Sequence, residues 1–259
     1  MRCSIPVRAV SLVCLMLPLL AWSQSKPLAL DEILTRMQQA EAASQNQAVA
    51  YTVTREYQLA TQGATQPSSE VVAEVNFVPP SAKDYAVVQS QGSDRGTGIV
   101  RKVLDHEAAM ATHPELHELT ARNYDFALLG REAIDGRNCY VLQLSPKRDA
   151  VDLVRGKAWI DAANFTLRRI DGTTAKSPSL WIRNLHLTIN YGQMNGVWLQ
   201  TSTRAEADVR FVGPHVLTSR DLDVQLAAAS ARVQFPPRPR APRANRRRTA
   251  DAAAAWVAR

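Results

Sequence analysis

The chain of 259 residues contains three cysteines, and two of them, Cys3 and Cys14, fall in a stretch ordered like a secretory leader. Arg2 and Arg8 come first, residues 9–21 are uncharged and largely apolar, and Ala21-Trp22-Ser23 supplies a small-x-small cleavage pattern before Gln24. Residues 1–23 are therefore expected to be a signal peptide. Without them Cys139 stands alone, and a chain exported to an oxidising compartment has no internal disulfide available. Its stability has to come from burial. Long apolar runs are also missing: the leader is short for a membrane span, and no later segment approaches the ~20 residues that spanning requires. Cys14 follows Ser11-Leu12-Val13, without the small residue expected ahead of a lipid-modified cysteine. The mature protein is expected to be soluble and exported.

The signatures of catalysis are equally scarce. No Gly-x-Ser-x-Gly elbow occurs, and Gly92, Gly96 and Gly98 sit in no βαβ unit, so they read as residues that turn the chain into a helix. His113-Pro114-Glu115-Leu116-His117 sets two histidines four apart with Glu107 and Glu118 nearby, a spacing that can hold metal on a helix. Pro114 lies between them and the His-Glu-x-x-His order is absent, so a solvated loop or helix end is the better reading. Cys139 reads as a small strand residue, since a nucleophile would need a lowered pKa and a base. Trp159, Trp181 and Trp198 could stack on bases or sugars, but at strand ends they read as structural. No catalytic residue, metal site or cofactor is expected, and no specific nucleic-acid partner.

The formal charge of +7 is unevenly placed. From residue 231 onward eight arginines face Asp251 alone, a net +7, and Arg2 and Arg8 add two, which leaves −2 on residues 24–230. The main body is mildly acidic, and at that length it suits one sizeable single-core domain. Residues 231–259 have the Pro and Arg density of a disordered segment, solvated or touching anionic surfaces.

Leu30, Ile33, Leu34, Met37 and Ala40 recur at helical spacing, predicting an amphipathic helix over residues 30–44. From Val49 the period becomes two, with Val49, Tyr51, Val53, Arg55, Tyr57 and Leu59 on one strand face. Val71 to Phe77 and Tyr85 to Gln89 continue the meander around Pro79-Pro80. Residues 96–119 return to helical spacing, and strands follow beyond Asn123, with turns at Asp135-Gly136, residues 162–164 and residues 192–196. Helix, strands, helical insertion, many strands: the order predicts one large, curved antiparallel sheet, an incomplete β-barrel, with helices on one side.

Parity sorts the longest pattern. Trp181, Leu185, Leu187, Ile189 and Tyr191 share one face, opposite Ile182, Asn184, His186, Thr188 and Asn190. On the next strand Val197, Leu199, Thr201, Thr203, Ala205, Ala207, Val209 and Phe211 share a face, while Trp198, Gln200, Ser202, Arg204, Glu206, Asp208 and Arg210 meet water. A face bulky at both ends and small between them fits a sheet curved around something. Either the helices pack closely on the small residues, or the gap is a cavity for apolar ligands.

Four motifs in order resemble a known family: "NYDFALLGREAIDGRNCYVLQLSPKR" (residues 123–148), "GKAWIDAANFTLRRIDG" (156–172), "SPSLWI" (177–182) and "GVWLQTSTRAEADVRFVG" (196–213). They resemble the LolA-like superfamily of periplasmic outer-membrane lipoprotein-sorting proteins, which includes the sensor that regulates the envelope-stress sigma factor. The resemblance covers most of residues 30–225. It implies a curved incomplete barrel whose apolar concave side is plugged by helices and accepts acyl chains; the basic tail is not part of it. The resemblance carries over no single acyl-contacting residue; the strand faces make the candidate cavity lining Val75, Phe77, Leu185, Leu187, Ile189, Leu199, Thr201, Thr203, Ala205 and Ala207. The expected partner is an acylated lipoprotein or lipid, with a membrane-associated donor or acceptor. A carrier is the expected function; a lipid sensor is the first alternative and a secreted hydrolase the second.

Overall fold

The computed structural model describes residues 28–227; the expected leader and the basic tail lie outside them. Helix α1 (Leu30–Asn46) leads into strands β1 (Tyr51–Thr61), β2 (Ser69–Val78) and β3 (Ala82–Gly92). Helix α2 (Asp94–Ala111) and a short 3-10 turn (Pro114–Leu116) follow. Then come β4 (Tyr124–Ile134), β5 (Arg137–Pro146), β6 (Val154–Asp161), β7 (Leu167–Thr174), β8 (Ile182–Met194), β9 (Val197–Val209) and β10 (Gly213–Leu226). No helix among the described residues is long and apolar enough to cross a membrane.

All ten strands form one antiparallel sheet in the order β3-β2-β1-β10-β9-β8-β7-β6-β5-β4. The sheet is not closed, so β3 and β4 are its edges, as expected of an incomplete barrel. Tight turns fix the local register: Asp135-Gly136 and Asn195-Gly196 both adopt positive φ at two successive residues, the geometry of a two-residue hairpin whose twist matches the strands it joins. Gly156 and Gly172 pair across β6 and β7, and a Cβ on Gly156 would lie 2.1 Å from the Asp171 carbonyl oxygen. Two glycines thus let these strands approach more closely than any side chain would allow.

The helices lie at opposite ends of the sheet. Ile33 and Met37 of α1 pack with Tyr140, Leu142, Leu144 and Ile160 in one core; Val100 and Leu104 of α2 pack with Val53, Tyr57, Val71 and Val75 in the other. Asp31 and Glu32 complement the dipole at the start of α1, which no side chain caps. α2 is capped by Ser93, whose Oγ accepts from the Gly96 amide at 3.1 Å. Gly96 does more than admit a turn: a Cβ there would fall 1.9 Å from Ser69 Oγ, so the missing side chain lets α2 sit against β2. Because α2 leaves edge strand β3 and leads to the opposite edge strand β4, it carries the chain across the sheet rather than along it.

Candidate functional site

Cross-strand register places the helix-bearing face row by row. Leu187 pairs with Ala205, Ala205 with Leu217, and Leu217 with Leu59, one row across β8, β9, β10 and β1. The neighbouring row is Ile189, Thr203, Ser219 and Tyr57. Directly paired side chains point to the same side, so these rows are continuous with both cores.

The ten candidate lining residues divide along these rows. Val75 and Leu199 are 2 % and 7 % exposed, inside the α2 core. Phe77 is half-buried and lies against Tyr51, ring centroids 5.2 Å apart. Leu187 and Ile189 pack against the α1 core. Leu185, Ala205 and Ala207 are half-buried and belong to neither core. Thr203 is half-buried between them, its Oγ1 accepting from Gln200 Nε2 at 2.6 Å. The small residues therefore form a strip between two helix-covered cores.

Strict alternation fails at two bulges. Gln200 faces Tyr191 and Ser202 faces Asn190, which leaves Thr201 as an extra residue whose hydroxyl donates to the Asn190 carbonyl at 3.3 Å. Near the start of β8, Asn184 at φ 49° and Leu185 together oppose Ala207. That extra residue corrects the parity assignment of Ile182. It pairs with Val209 and so shares the face of Ala205 and Ala207, not the polar face. The remaining polar face carries a side-chain ladder: Arg169 Nε donates to Asn190 Oδ1 at 2.8 Å, and Asn190 Nδ2 to Ser202 Oγ at 3.0 Å.

The α2 core also holds charge. Arg55, 5 % exposed, donates through Nε to Asp221 Oδ1, and through Nη2 to Asp221 Oδ2 at 3.2 Å and to the Gln200 carbonyl at 3.2 Å. Its Nη1 reaches Glu107 Oε2 of α2 at 3.1 Å, an oxygen that also accepts from Lys83 Nζ at 2.9 Å. Burial opposes the charge on Arg55, yet its bond to Asp221 and the field of Glu107 hold its pKa above the ordinary value. For Glu107 burial is likewise outweighed, by Lys83 and Arg55, and its pKa is lowered. Burial wins at Asp221, whose pKa is raised against the pull of Arg55. Burial also raises that of Tyr57, whose hydroxyl has no hydrogen-bond partner among the described residues. Between the helices, burial pushes the Tyr191 hydroxyl up to about 12, aided by Glu41 of α1 and Glu107 of α2. Sequence reasoning set Arg55 on this apolar face but did not find Glu107, Asp221 and Lys83 as its partners.

The discarded catalytic candidates take structural places. Pro114–Leu116 is a 3-10 turn with His113 exposed, its Nδ1 3.3 Å from Glu115 Oε1, while Glu107 is engaged with Arg55 and Lys83. Among the described residues no cluster of three or more His, Cys, Asp or Glu is arranged to hold a metal ion. Cys139 is fully buried, and burial raises its thiol pKa, the opposite of nucleophile activation. Trp159 is buried and donates to Glu132 at 2.8 Å, and Trp198 lies under the Arg168 guanidinium. A groove of about 480 Å³ between β3 and α2 is lined by Lys83, Asp84, Tyr85, Asp105 and Thr112; none of these is on the strip.

A protein-family model described as "Uncharacterized protein" matches residues 112–210. No curated protein matches the chain. Similar solved structures include a putative outer membrane lipoprotein-sorting protein domain from Vibrio parahaemolyticus, at 14% identity and TM-score 0.45, covering 78% of this chain and 95% of that one. A DUF1329 family protein from Desulfovibrio piger is 14% identical with TM-score 0.41, covering 77% and 92%. A LolA superfamily protein from Nitrosomonas europaea is 15% identical with TM-score 0.39, covering 78% and 94%.

Proposed function

We propose that the protein is a periplasmic, non-enzymatic carrier that shields an acyl chain of a lipoprotein or lipid on the strip between its two helices. The observation that carries this reading is the position of Leu185, Ala205 and Ala207: apolar, only half-buried, and in neither of the cores that flank them. An acyl chain is the ligand such a surface suits, because it needs contact and exclusion of water more than directed bonds. Each CH₂ it buries contributes ~0.8 kcal/mol, so a long chain is retained without a specific polar partner. The buried charges lie to one side, under α2, where they fix the helix, and on the strip the Thr203 hydroxyl is taken by Gln200.

Titration of the purified protein with a fluorescent fatty acid and with a fluorescent diacylated lipopeptide tests the proposal. Saturable, stoichiometric binding with the probe recovered intact is expected. Absence of binding to both probes, or their hydrolysis by the pure protein, overturns it.

A further inference from the structure

One end of the sheet exposes apolar side chains that neither the cores nor the strip uses. Leu180, in the β7–β8 loop, is 86 % exposed, and Phe211, in the β9–β10 turn, is 89 % exposed with Val212 beside it at 52 %. The two loops form one tip: the Arg210 amide donates to the Trp181 carbonyl at 2.9 Å, and the rings of Trp181 and Phe211 lie 5.9 Å apart. The β7–β8 loop is held by its own bonds, with Ser177 Oγ donating to the Ser179 carbonyl at 2.9 Å and the Trp181 amide donating to Ser179 Oγ at 3.3 Å. Phe211 has φ 66°, a conformation disfavoured for a bulky side chain, and it gains no burial within the fold in return.

The surroundings carry three basic side chains and one acid, Asp208, which is paired in register with Arg183. Lys176, Arg183 and Arg210 are exposed, and none forms an ion pair among the described residues. Asp208 is the one acid in these two segments, and it accepts from Asn184 Nδ2 at 3.0 Å. The adjoining β1–β2 loop, tied on by the Gln62 amide to the Pro214 carbonyl at 2.9 Å, carries no charged side chain over residues 61–68.

We infer that this tip, Leu180, Trp181, Phe211 and Val212 with Lys176, Arg183 and Arg210 around it, is a docking surface for an anionic lipid bilayer. Trp, Phe and Leu favour the boundary between headgroups and acyl chains, and basic side chains beside them meet the phosphates. Two projecting loop ends suit penetration of a fluid surface better than the broad matching face, ~800 Å² per partner, of a stable protein interface. The inference does not depend on what occupies the strip.

Co-sedimentation of the full chain with vesicles of phosphatidylethanolamine and phosphatidylglycerol tests it, with phosphatidylcholine vesicles for comparison. Wild type is expected to bind the anionic vesicles, with Trp fluorescence quenched by brominated lipid and that quenching reduced in Trp181→Phe. The double variant Leu180→Ser, Phe211→Asn should bind them at least about tenfold more weakly, since it removes most of the inserted apolar area. Asn tolerates positive φ, so the melting temperature should hold or rise. Fluorescent fatty-acid binding should be unchanged in the double variant, which separates this surface from the strip. Wild-type vesicle binding by a folded double variant would overturn the proposal. So would a wild-type dimer that the double variant abolishes with no effect on vesicles, since the tip would then be a contact between two copies.

Discussion

The two ends of the sheet hold their helices by different physics. Over β4–β8, α1 rests on Tyr140, Leu142, Leu144 and Ile160, a core of apolar contact. Over β1–β3 and β10, α2 makes similar apolar contact through Val100 and Leu104, and adds Glu107 as the link from helix to the buried Arg55 and to Lys83. Apolar contact is non-directional and grows with area. A charge-assisted network fixes orientation and fails when any member is removed or neutralised. One face of one sheet therefore carries a helix defined by burial and a second pinned at a point.

The largest expected effect removes that point. Arg55→Ala leaves Asp221 a buried charge without its partner and Glu107 held by Lys83 alone, and should cost about 3–5 kcal/mol in chemical denaturation. Leu142→Ala, at a fully buried position in the α1 core, should cost about 2–5 kcal/mol through lost contact and a cavity. The two differ in rescue. Arg55→Met combined with Asp221→Leu and Glu107→Gln should recover much of the loss, because buried ion pairs can often be replaced by apolar packing at little cost. A loss below about 1 kcal/mol for Arg55→Ala would mean the network is solvated and the contrast between the halves is false.

Acid sharpens the contrast further. The pKa of Glu107 is lowered in the fold from 4.5, so its stabilisation is complete above that value and is lost as pH falls through the depressed one. Asp221 is shifted the other way, from 3.8 upward, so it takes its proton earlier and offsets part of that loss. Hydrogen exchange at pH about 6 and about 3 should show protection falling more in α2 than in α1, whose core includes no titrating group of this kind. Equal loss in both helices would show that the network does not anchor α2.

Much of this architecture was legible from short-range pattern, and the remainder depended on distance along the chain. Helical spacing from Leu30 located α1, Asp135-Gly136 marked its hairpin, and alternation after Val49 and Trp181 marked β1 and β8. Arg55 was placed on an apolar strand face, but its partner Asp221 lies 166 residues away and only β1–β10 pairing brings it close. Ile182 was misassigned because one extra residue at Asn184 inverts every assignment beyond it, and periodicity carries no separate mark for a bulge. The strip was visible as Thr203, Ala205 and Ala207. That neither helix core takes in the two alanines was not, because helix placement is decided by the whole sheet.

A smaller effect is expected on the strip between the halves. Ala205→Trp or Thr203→Trp should fill the space and cut fatty-acid binding with little change in melting, whereas tight helix packing at these positions would make the same bulk cost ~1–3 kcal/mol. Glu206→Trp, on the opposite face by register, should leave both binding and melting near wild type. A collapsed melting temperature for both strip variants, with a normal one for Glu206→Trp, would show that the strip belongs to one of the two cores.

The smallest effect should come from deleting residues 231–259, which carry a net charge of +7. Residues 215–220 of β10 pair with both β1 and β9, residues 221–226 pair with β1, and the Ala227 amide donates to the Ala50 carbonyl at 2.9 Å, so β10 is held in the sheet before the chain reaches the deleted segment. A domain that ends there should keep its melting temperature within a degree or so, in the α1 half and the α2 half alike. Vesicle binding should behave differently: deletion should remove a contribution that is large at low salt and screened at high salt, while the apolar contribution of Leu180 and Phe211 persists at both. Loss of α2 protection on deletion would show that the arginines reach the acidic groups of that half. Its helix would then be pinned from outside as well as by Arg55.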